Sequence, residues 1–330
     1  MNVAVTAVGG GVGQSIIKAL QNTEYSVVGV NSEVLGTGLY ATRKSYLGLY
    51  AKDPRFVDRL IEICETENCH IVFPGLDVEL IPLSSNVEKL KNRGILPVVS
   101  DPNVVAICGD KLATYEFLKC NNFPTPKTYR LRNYHFELDF PIILKPQKGG
   151  HRSIGEYVAN NRREYDMYTA NVETDNYVVQ ERIEGEEYTC GTVSLEKHCL
   201  GAILMKRELR NGDTHKAFVV RDAKLKEYVE KVINALKPFG ACNVQLIVRD
   251  NTPYIFELNA RCSGTTASRA LAGFNEPKVI CDYIAKGIKN PHIEIKEIAI
   301  FRYWKELIVG YDKIQEMKSR GFIENERVGL

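Results

Sequence analysis

Asn243-Val-Gln-Leu-Ile-Val-Arg-Asp-Asn-Thr-Pro-Tyr-Ile-Phe-Glu257-Leu-Asn259-Ala-Arg261 is the stretch on which the reading of this chain turns. Two apolar, β-rich runs flank Asp250-Asn251-Thr252-Pro253, a turn composition, so the stretch predicts a hairpin. Side chains alternate faces along a strand, which puts Glu257, Asn259 and Arg261 on one side. Position 251 is midway between Gln245 and Glu257, so these two are expected opposite each other. One carboxylate and two amide oxygens then converge, with a guanidinium at the end of the row. Such hard oxygen ligands suit magnesium, which takes few protein ligands and completes its octahedron with phosphate and water. The arginine supplies positive charge beside a transferring phosphoryl group. Polar residues also alternate on any half-exposed strand, but usually as Lys, Thr and Glu. Here Glu-x-Asn-x-Arg runs straight into Cys262-Ser-Gly264-Thr-Thr266, which favours the functional reading.

These residues resemble the signature of the ATP-grasp superfamily, and within it enzymes similar to the carbamoyl-phosphate synthetase large subunit. In that family the pattern supplies magnesium ligands and an arginine at the reacting phosphate. The resemblance assigns the metal to Gln245, Glu257 and Asn259, and catalysis to Arg261. Many superfamily members carry an acid where this chain has Gln245, which points to the carbamoyl-phosphate synthetase-like branch. The resemblance implies an α/β chain: an N-terminal Rossmann-like pre-ATP-grasp domain followed by a two-subdomain α+β ATP-grasp fold. The expected boundaries are 1–105 for the first domain and 106–290 for the second, the latter split near 180/181. Residues 291–330 are expected as an extension packing on the ATP-grasp core.

Two further constellations agree. Phe140-Pro-Ile-Ile-Leu-Lys145-Pro-Gln-Lys-Gly149-Gly150 reads as a short buried strand ending in a lysine, then a glycine-containing basic loop. Backbone N–H groups freed by Gly149 and Gly150 can cradle phosphate oxygens, and Lys145 adds a point charge. No Gly-x-x-x-x-Gly-Lys-Ser/Thr occurs, so this is not a Walker A loop. It looks like the ATP-grasp strand lysine and its phosphate-covering loop, which would close over the nucleotide and exclude water. In Tyr177–Thr189 the resemblance implies adenine contacts from Gln180, Glu181 and Ile183, and a ribose contact from Glu187. Helical periodicity through Val105–Lys119, with Asp110-Lys111 inside it, is similar to the fold's opening helix, whose lysine reaches ATP phosphate. That assigns Lys111 to ATP. Arg207, at the end of a strand from Leu200, could face an acyl phosphate or an acidic substrate, and Arg210–Lys216 reads as a mixed-charge loop.

Toward the N-terminus, strands at 2–8, 27–30, 71–73 and 95–99 alternate with helices at about 15–21 and 56–67, the pattern of a parallel, doubly wound sheet. Gly9-Gly-Gly-Val-Gly13 invites a dinucleotide reading, but Gln14 breaks the Gly-x-Gly-x-x-Gly spacing. Asn31 stands where a ribose-binding acid belongs. Pro74-Gly75-Leu-Asp77-Val-Glu79 follows a strand at the ligand-binding end of the sheet. Asp77 reads as a helix cap, and Glu79 as a substrate-binding candidate together with Arg261 and Gly264. Ala223–Leu236 carries helical spacing and should pack behind the signature hairpin, while Ile295–Tyr303 reads as a strand.

With 330 residues and 44% hydrophobic content the chain can bury substantial cores. A formal charge of +2, with no basic block interleaved with aromatics, argues against a nucleic-acid partner. No apolar run approaches a membrane span, and no cleavable leader precedes the first strand. Nine cysteines, an odd number without Cys-x-x-Cys or zinc spacing, read as small core residues of a reduced cytoplasmic protein. The expected function is an ATP- and Mg2+-dependent carboxylate–amine ligase, with Mn2+ as a substitute metal. It would act through an acyl phosphate on a small carboxylate and an amine or ammonia, with catalytic roles for Arg261, Arg207 and Lys145. Phosphorylation of bicarbonate or carbamate is the alternative; a dehydrogenase and a non-catalytic nucleotide regulator are weaker rivals. Enzymes of the resembled family often pair, which makes a homodimer one candidate state, and the sequence leaves the oligomeric state open.

Overall fold

The computed structural model describes residues 1–149, 154–303, 305–326 and 329–330. Its first layer contains β1 (Asn2–Val5), α1 (Gly11–Leu20), β2 (Ser26–Asn31), β3 (Lys44–Leu47), α2 (Phe56–Thr66), β4 (Cys69–Phe73), α3 (Asp77–Ser85), α4 (Val87–Lys91) and β5 (Leu96–Pro97). The five strands are parallel in the order β3-β2-β1-β4-β5. Both faces are apolar, as helix crossovers require. Val3 and Val5 point toward α1, packing with Ile16, Ile17 and Leu20. Ala4, Val28 and Val72 turn the other way, onto Phe56, Leu60 and Leu83 from the opposite helices. The strand order reverses between β1 and β4, and the chain leaves both strands in tight contact. A Cβ at Gly75 would lie 2.2 Å from the Thr6 carbonyl oxygen, and one at Gly13 would lie 2.6 Å from that of Ala7.

The second part comprises α5 (Pro102–Gly109), α6 (Lys111–Cys120), β6 (Thr128–Arg130), β7 (Ile142–Pro146), β8 (Tyr157–Ala159), α7 (Arg162–Thr169), β9 (Tyr177–Glu181), β10 (Glu186–Leu195), β11 (His198–Arg210), β12 (Asp213–Val220), α8 (Ala223–Leu236), β13 (Gly240–Arg249), β14 (Thr252–Asn259), α9 (Thr266–Leu271) and α10 (Glu276–Lys286). After it come β15 (Ala299–Phe301), α11 (Tyr311–Arg320) and β16 (Phe322–Glu324). The strands make two antiparallel sheets, a small one ordered β6-β9-β7-β8 and a large one ordered β14-β13-β10-β11-β12-β15. Leu225, Val229, Val232, Ile233 and Leu236 of α8 share a core with Val244, Leu246, Ile255 and Leu258, so this helix packs behind the hairpin as its spacing predicts.

Four expectations need correction. The helix expected over 105–119 is two helices, broken at Asp110, whose backbone is extended and whose carboxylate accepts from the Leu112 and Ala113 N–H groups. An N-cap aspartate after a glycine starts a helix more readily than it continues one. Both helices pack with the large sheet: Val104 and Leu118 join the core of Leu258 and Ile255, although 106–180 was read as the first subdomain. The mixed-charge loop at 210–216 is only a tight turn, with Asn211 and Gly212 at positive φ, and His215 and Lys216 lie within β12. The region 291–330 divides. A strand of only Ala299–Phe301 joins β12, and β16 adds antiparallel to β3, so this part packs on both domains.

One continuous core runs across the domain boundary, from Val3, Ile16 and Phe73 to Val193, Ile203, Phe274 and Ile280, and takes in Met317 and Ile323 from the last two elements. Among the described residues no helix is long and apolar enough to cross a membrane. Ile323 is fully buried opposite Ser45. Ile323→Ala should therefore cost about 2–5 kcal/mol in urea unfolding. A loss below ~1 kcal/mol would mean that β16 contributes little to the first sheet.

Candidate active site

The signature hairpin turns on Asp250 and Asn251, both with positive φ (50° and 61°), the backbone that a two-residue hairpin turn requires. Its centre thus falls half a residue before position 251. A bulge restores the expected pairing. Leu246 lies opposite Ile255 and Gln245 opposite Glu257, so Phe256 is the extra residue. The bulge also breaks the alternation assumed from sequence. Ile255 is fully buried in the core, while Phe256 and Glu257, adjacent in sequence, both line the cleft.

That cleft has a volume of about 610 Å³ and lies between the small sheet, the large sheet and the loops of the first domain. It brings together Lys145, Gln180, Glu181, Ile183, Glu187, Arg207, Gln245, Glu257, Arg261 and Gly264 from the candidates chosen by sequence. Lys145 is 5% exposed, and its ammonium sits 5.5 Å above the Phe256 ring. Burial holds its pKa below the ordinary lysine value, so the charge is short of solvation, and an anion placed beside it would be favoured. Arg207 donates to the Glu187 carboxylate at 2.5 and 3.1 Å and to Gln245 Oε1 at 2.7 Å, joining three candidates in one network. Arg261 donates to Asp77 at 2.7 Å, to the Cys262 carbonyl at 2.9 Å and to Asn259 Oδ1 at 3.3 Å. Its Nε is buried with no hydrogen-bond partner among the described residues. Gln180 Nε2 donates to Thr128, and Glu181 accepts from the Lys127 N–H.

Other candidates lie elsewhere. Asn259 is buried beside the cleft, against Arg261. Lys111 reaches the Gly149 carbonyl at 2.8 Å and so holds the start of the glycine loop; neither residue lines the cleft. Gly150 lies outside the described residues. Glu79 does not face this cleft. Its Oε2 accepts from Thr6 Oγ1 at 2.6 Å and from the Gly75 and Leu76 N–H groups at 3.0 and 3.2 Å, at the floor of a second cavity. The first turn of α3 points it back under β1. Cys262 is buried in the shared core, and burial pushes its thiol pKa far up, which leaves it a packing residue. At the glycine loop, the Gly9 N–H is taken by Asn31 Oδ1 at 2.9 Å and the Gly10 N–H by the Ala7 carbonyl at 2.9 Å. A dinucleotide pyrophosphate would need such donors free.

The sequence reading missed three supports. Asp77, read as a cap, pairs with Arg261 across the domain boundary. Ser15 on α1 donates to the Gly264 carbonyl and accepts from the Ala267 N–H, pinning the loop after the signature. Arg269, 1% exposed, bonds Glu276 at 2.8 Å, Thr189 at 3.1 Å and Asn243, behind the cleft wall.

The fold and this cleft define a class, and comparison with known proteins agrees. Residues 108–265 match the family profile of the ATP-grasp domain. Residues 4–99 match that of the PylC-like N-terminal domain. The chain thus carries an ATP-grasp domain behind a PylC-like N-terminal domain. It is similar to the carbamoyl phosphate synthase large chain of Thermoplasma acidophilum, 25% identical over 276 residues, which are 72% of this chain and 26% of that one. It is also similar to a D-alanine–D-alanine ligase of Bacillus anthracis, 28% identical over 183 residues, 49% of this chain and 60% of that one. The chain therefore spans less than two thirds of either relative. Among solved structures, N5-carboxyaminoimidazole synthetase from Staphylococcus aureus complexed with ADP superposes with a TM-score of 0.67 at 17% identity, covering 84% of this chain and 76% of that one. An L-amino acid ligase from Bacillus licheniformis gives 0.65 at 17%, covering 86% and 73%. These two likenesses establish the fold alone.

Glu79 also makes the pH dependence of folding stability testable. Burial raises its pKa from 4.5 to about 6, against the hydrogen bonds it accepts from Thr6, Gly75 and Leu76. The folded state binds the proton more tightly than the unfolded chain, so this contribution to stability is complete below pH 4.5 and lost as pH rises through 6. Across that window the wild type should lose roughly 2 kcal/mol relative to Glu79→Gln, by denaturant titration at each pH. A difference that stays flat with pH would show that Glu79 does not titrate there.

Proposed function

We propose that this protein is an ATP- and Mg2+-dependent carboxylate–amine ligase. A carboxylate oxygen of the substrate attacks the γ-phosphorus of ATP, the bond to the β-phosphate oxygen breaks, and ADP leaves. The acyl phosphate so formed is attacked at its carbonyl carbon by the amine. The C–N bond forms, the C–O bond to phosphate breaks with its electron pair, and phosphate leaves while the amine loses its extra proton. The observation that carries this reading is the make-up of the cleft: Lys145, Arg207 and Arg261 line it together with the half-buried Glu257, the acid that would hold the metal. Among the described residues no Ser-His or Cys-His pair accompanies them in that lining. Such a site handles phosphoryl charge by position and electrostatics and forms no covalent enzyme adduct.

Lys145 and Lys111 would hold ATP phosphates, Gln180–Ile183 the adenine and Glu187 the ribose. The Nε of Arg261, without a partner among the described residues, is a donor that a phosphoryl or carbonyl oxygen would complete. Arg207 would meet the acyl phosphate once Glu187 turns to the sugar. The donor set of Glu257, Asn259 and Gln245, a carboxylate and two amide oxygens, would suit magnesium or manganese, with phosphate and water supplying the remaining ligands. When bound, the metal would neutralise phosphate charge. The similarity to carbamoyl phosphate synthase keeps phosphorylation of bicarbonate or carbamate as a second reading, distinguished by carbamoyl phosphate as product.

A matrix of acids and amines assayed for ADP, with mass spectrometry of products, tests the class. Release of AMP and pyrophosphate would mean an adenylate route and overturn the mechanism. Glu257→Gln keeps the shape but removes the ligand charge, so turnover should fall by about 10²-fold or more with folding intact. Wild-type turnover at saturating magnesium would remove Glu257 from the metal site. Arg261→Lys retains charge but loses the planar fork. It should lower kcat by about 10–10³-fold with little change in ATP affinity, as expected for a group acting in the transition state. A loss confined to nucleotide binding would move Arg261 away from the reacting phosphate.

A further inference from the structure

A second cavity, about 550 Å³, opens where β1, β2 and β4 end, at the point where the strand order of the first sheet reverses. Crevices at that position are the usual ligand sites of open parallel sheets, and this volume suits a small metabolite. Its chemistry is one-sided. Among the described residues, the charged ones that line it are Glu33 and Glu79, with no lysine, arginine or histidine. Glu79 is 6% exposed, and its three hydrogen bonds all fall on Oε2. Oε1 receives none from the described residues, so a buried carboxylate presents an open acceptor in a cavity that it lines. Around the mouth stand Leu35, Tyr50, Leu76 and Val78, large apolar side chains that are 41–73% exposed, with Phe56 buried beneath. Exposed apolar residues scattered singly are ordinary; four gathered about one cavity mark a binding surface.

We propose that this cavity binds a primary amine carried on an apolar body, with its ammonium on Glu79 Oε1 and its hydrocarbon against Tyr50, Phe56 and Leu35. An ammonium would supply the counter-charge that the buried carboxylate lacks. Phosphates and carboxylates are disfavoured, because no cation among the described residues lines the walls and the N–H groups of Gly9 and Gly10 already have acceptors. An α-amino acid, with its own carboxylate beside the amine, is disfavoured for the same reason. Gly10 and Leu76 line both this cavity and the large cleft, so the two spaces adjoin. Resting on the ligase reading, the occupant is the amine substrate.

Calorimetric titration of the full chain without nucleotide tests the site apart from the reaction. Phenethylamine should bind, while 2-phenylethanol and 3-phenylpropanoate should not. Glu79→Gln keeps an acceptor for Thr6 and the two N–H groups but turns an amide N–H2 toward the ammonium, so affinity should drop about tenfold or more. Ala51→Leu, which fills the cavity without touching Glu79, should also abolish binding, so the outcome does not hang on one variant's folding. Equal binding of the alcohol, or binding indifferent to both variants, overturns the proposal. The role is read separately, in amine-dependent ADP release: both variants should raise the KM for amine and leave the KM for ATP unchanged. Binding that passes every control, with no ADP formed from any acid, would sink the ligase reading and leave the ammonium site standing.

Discussion

One extra residue in one strand sets the geometry of the cleft. Phe256 has no partner on β13, and from that bulge onward β14 is shifted by one place. Without it Gln245 would face Phe256, and Glu257 would turn into the core now filled by Ile255 and Leu258. A slip of one place in a strand exchanges its two faces. With the bulge, the aromatic ring under Lys145 and the acid that follows it in sequence both face the cleft, where regular alternation would present only one of them.

Behind that wall the domains are not independent. The apolar core that begins at Val3 and Phe73 continues through Phe274 and Ile280 into the large sheet. Polar ties follow the same seam: Ser15 with Gly264 and Ala267, Asp77 with Arg261, and Tyr25 with Asp282 at 2.6 Å. Arg269 and Glu276 are fully buried, and neither could be lost alone without leaving a charge unpaired in the interior. Their bonds reach Thr189 and Asn243 on neighbouring strands, so the rear of the cleft is held by charge as well as by packing.

Much of this was legible because local composition carried it. The hairpin was marked by its turn residues, α8 by its apolar spacing, and the parallel sheet by alternating strands and helices. What escaped depended on partners far away in sequence. The bulge is a property of two strands together, invisible in either. Asp77 looked like a helix cap, and its partner lies 184 residues on. Glu79 reads from sequence as a substrate-binding candidate at the cleft, but its destination depended on Thr6, 73 residues earlier, and on the direction of the first turn of α3. The short strands β3, β6 and β8 carry too little pattern to stand out, since sheets rather than single strands stabilise such segments.

The strand formed by residues 322–324 has a kinetic meaning. Until it is available, β3 is a bare edge, with its backbone donors and acceptors open to any other extended chain. Asn325 then closes the corner by bonding the carbonyls of Leu39 and Thr42, the former 286 positions away. On a ribosome working at about 5–20 residues per second, the first sheet would wait on the order of tens of seconds for its last strand. During that interval the segment around residues 44–47 is where a nascent chain of this protein is most exposed to mispairing, and where a chaperone would have most to protect.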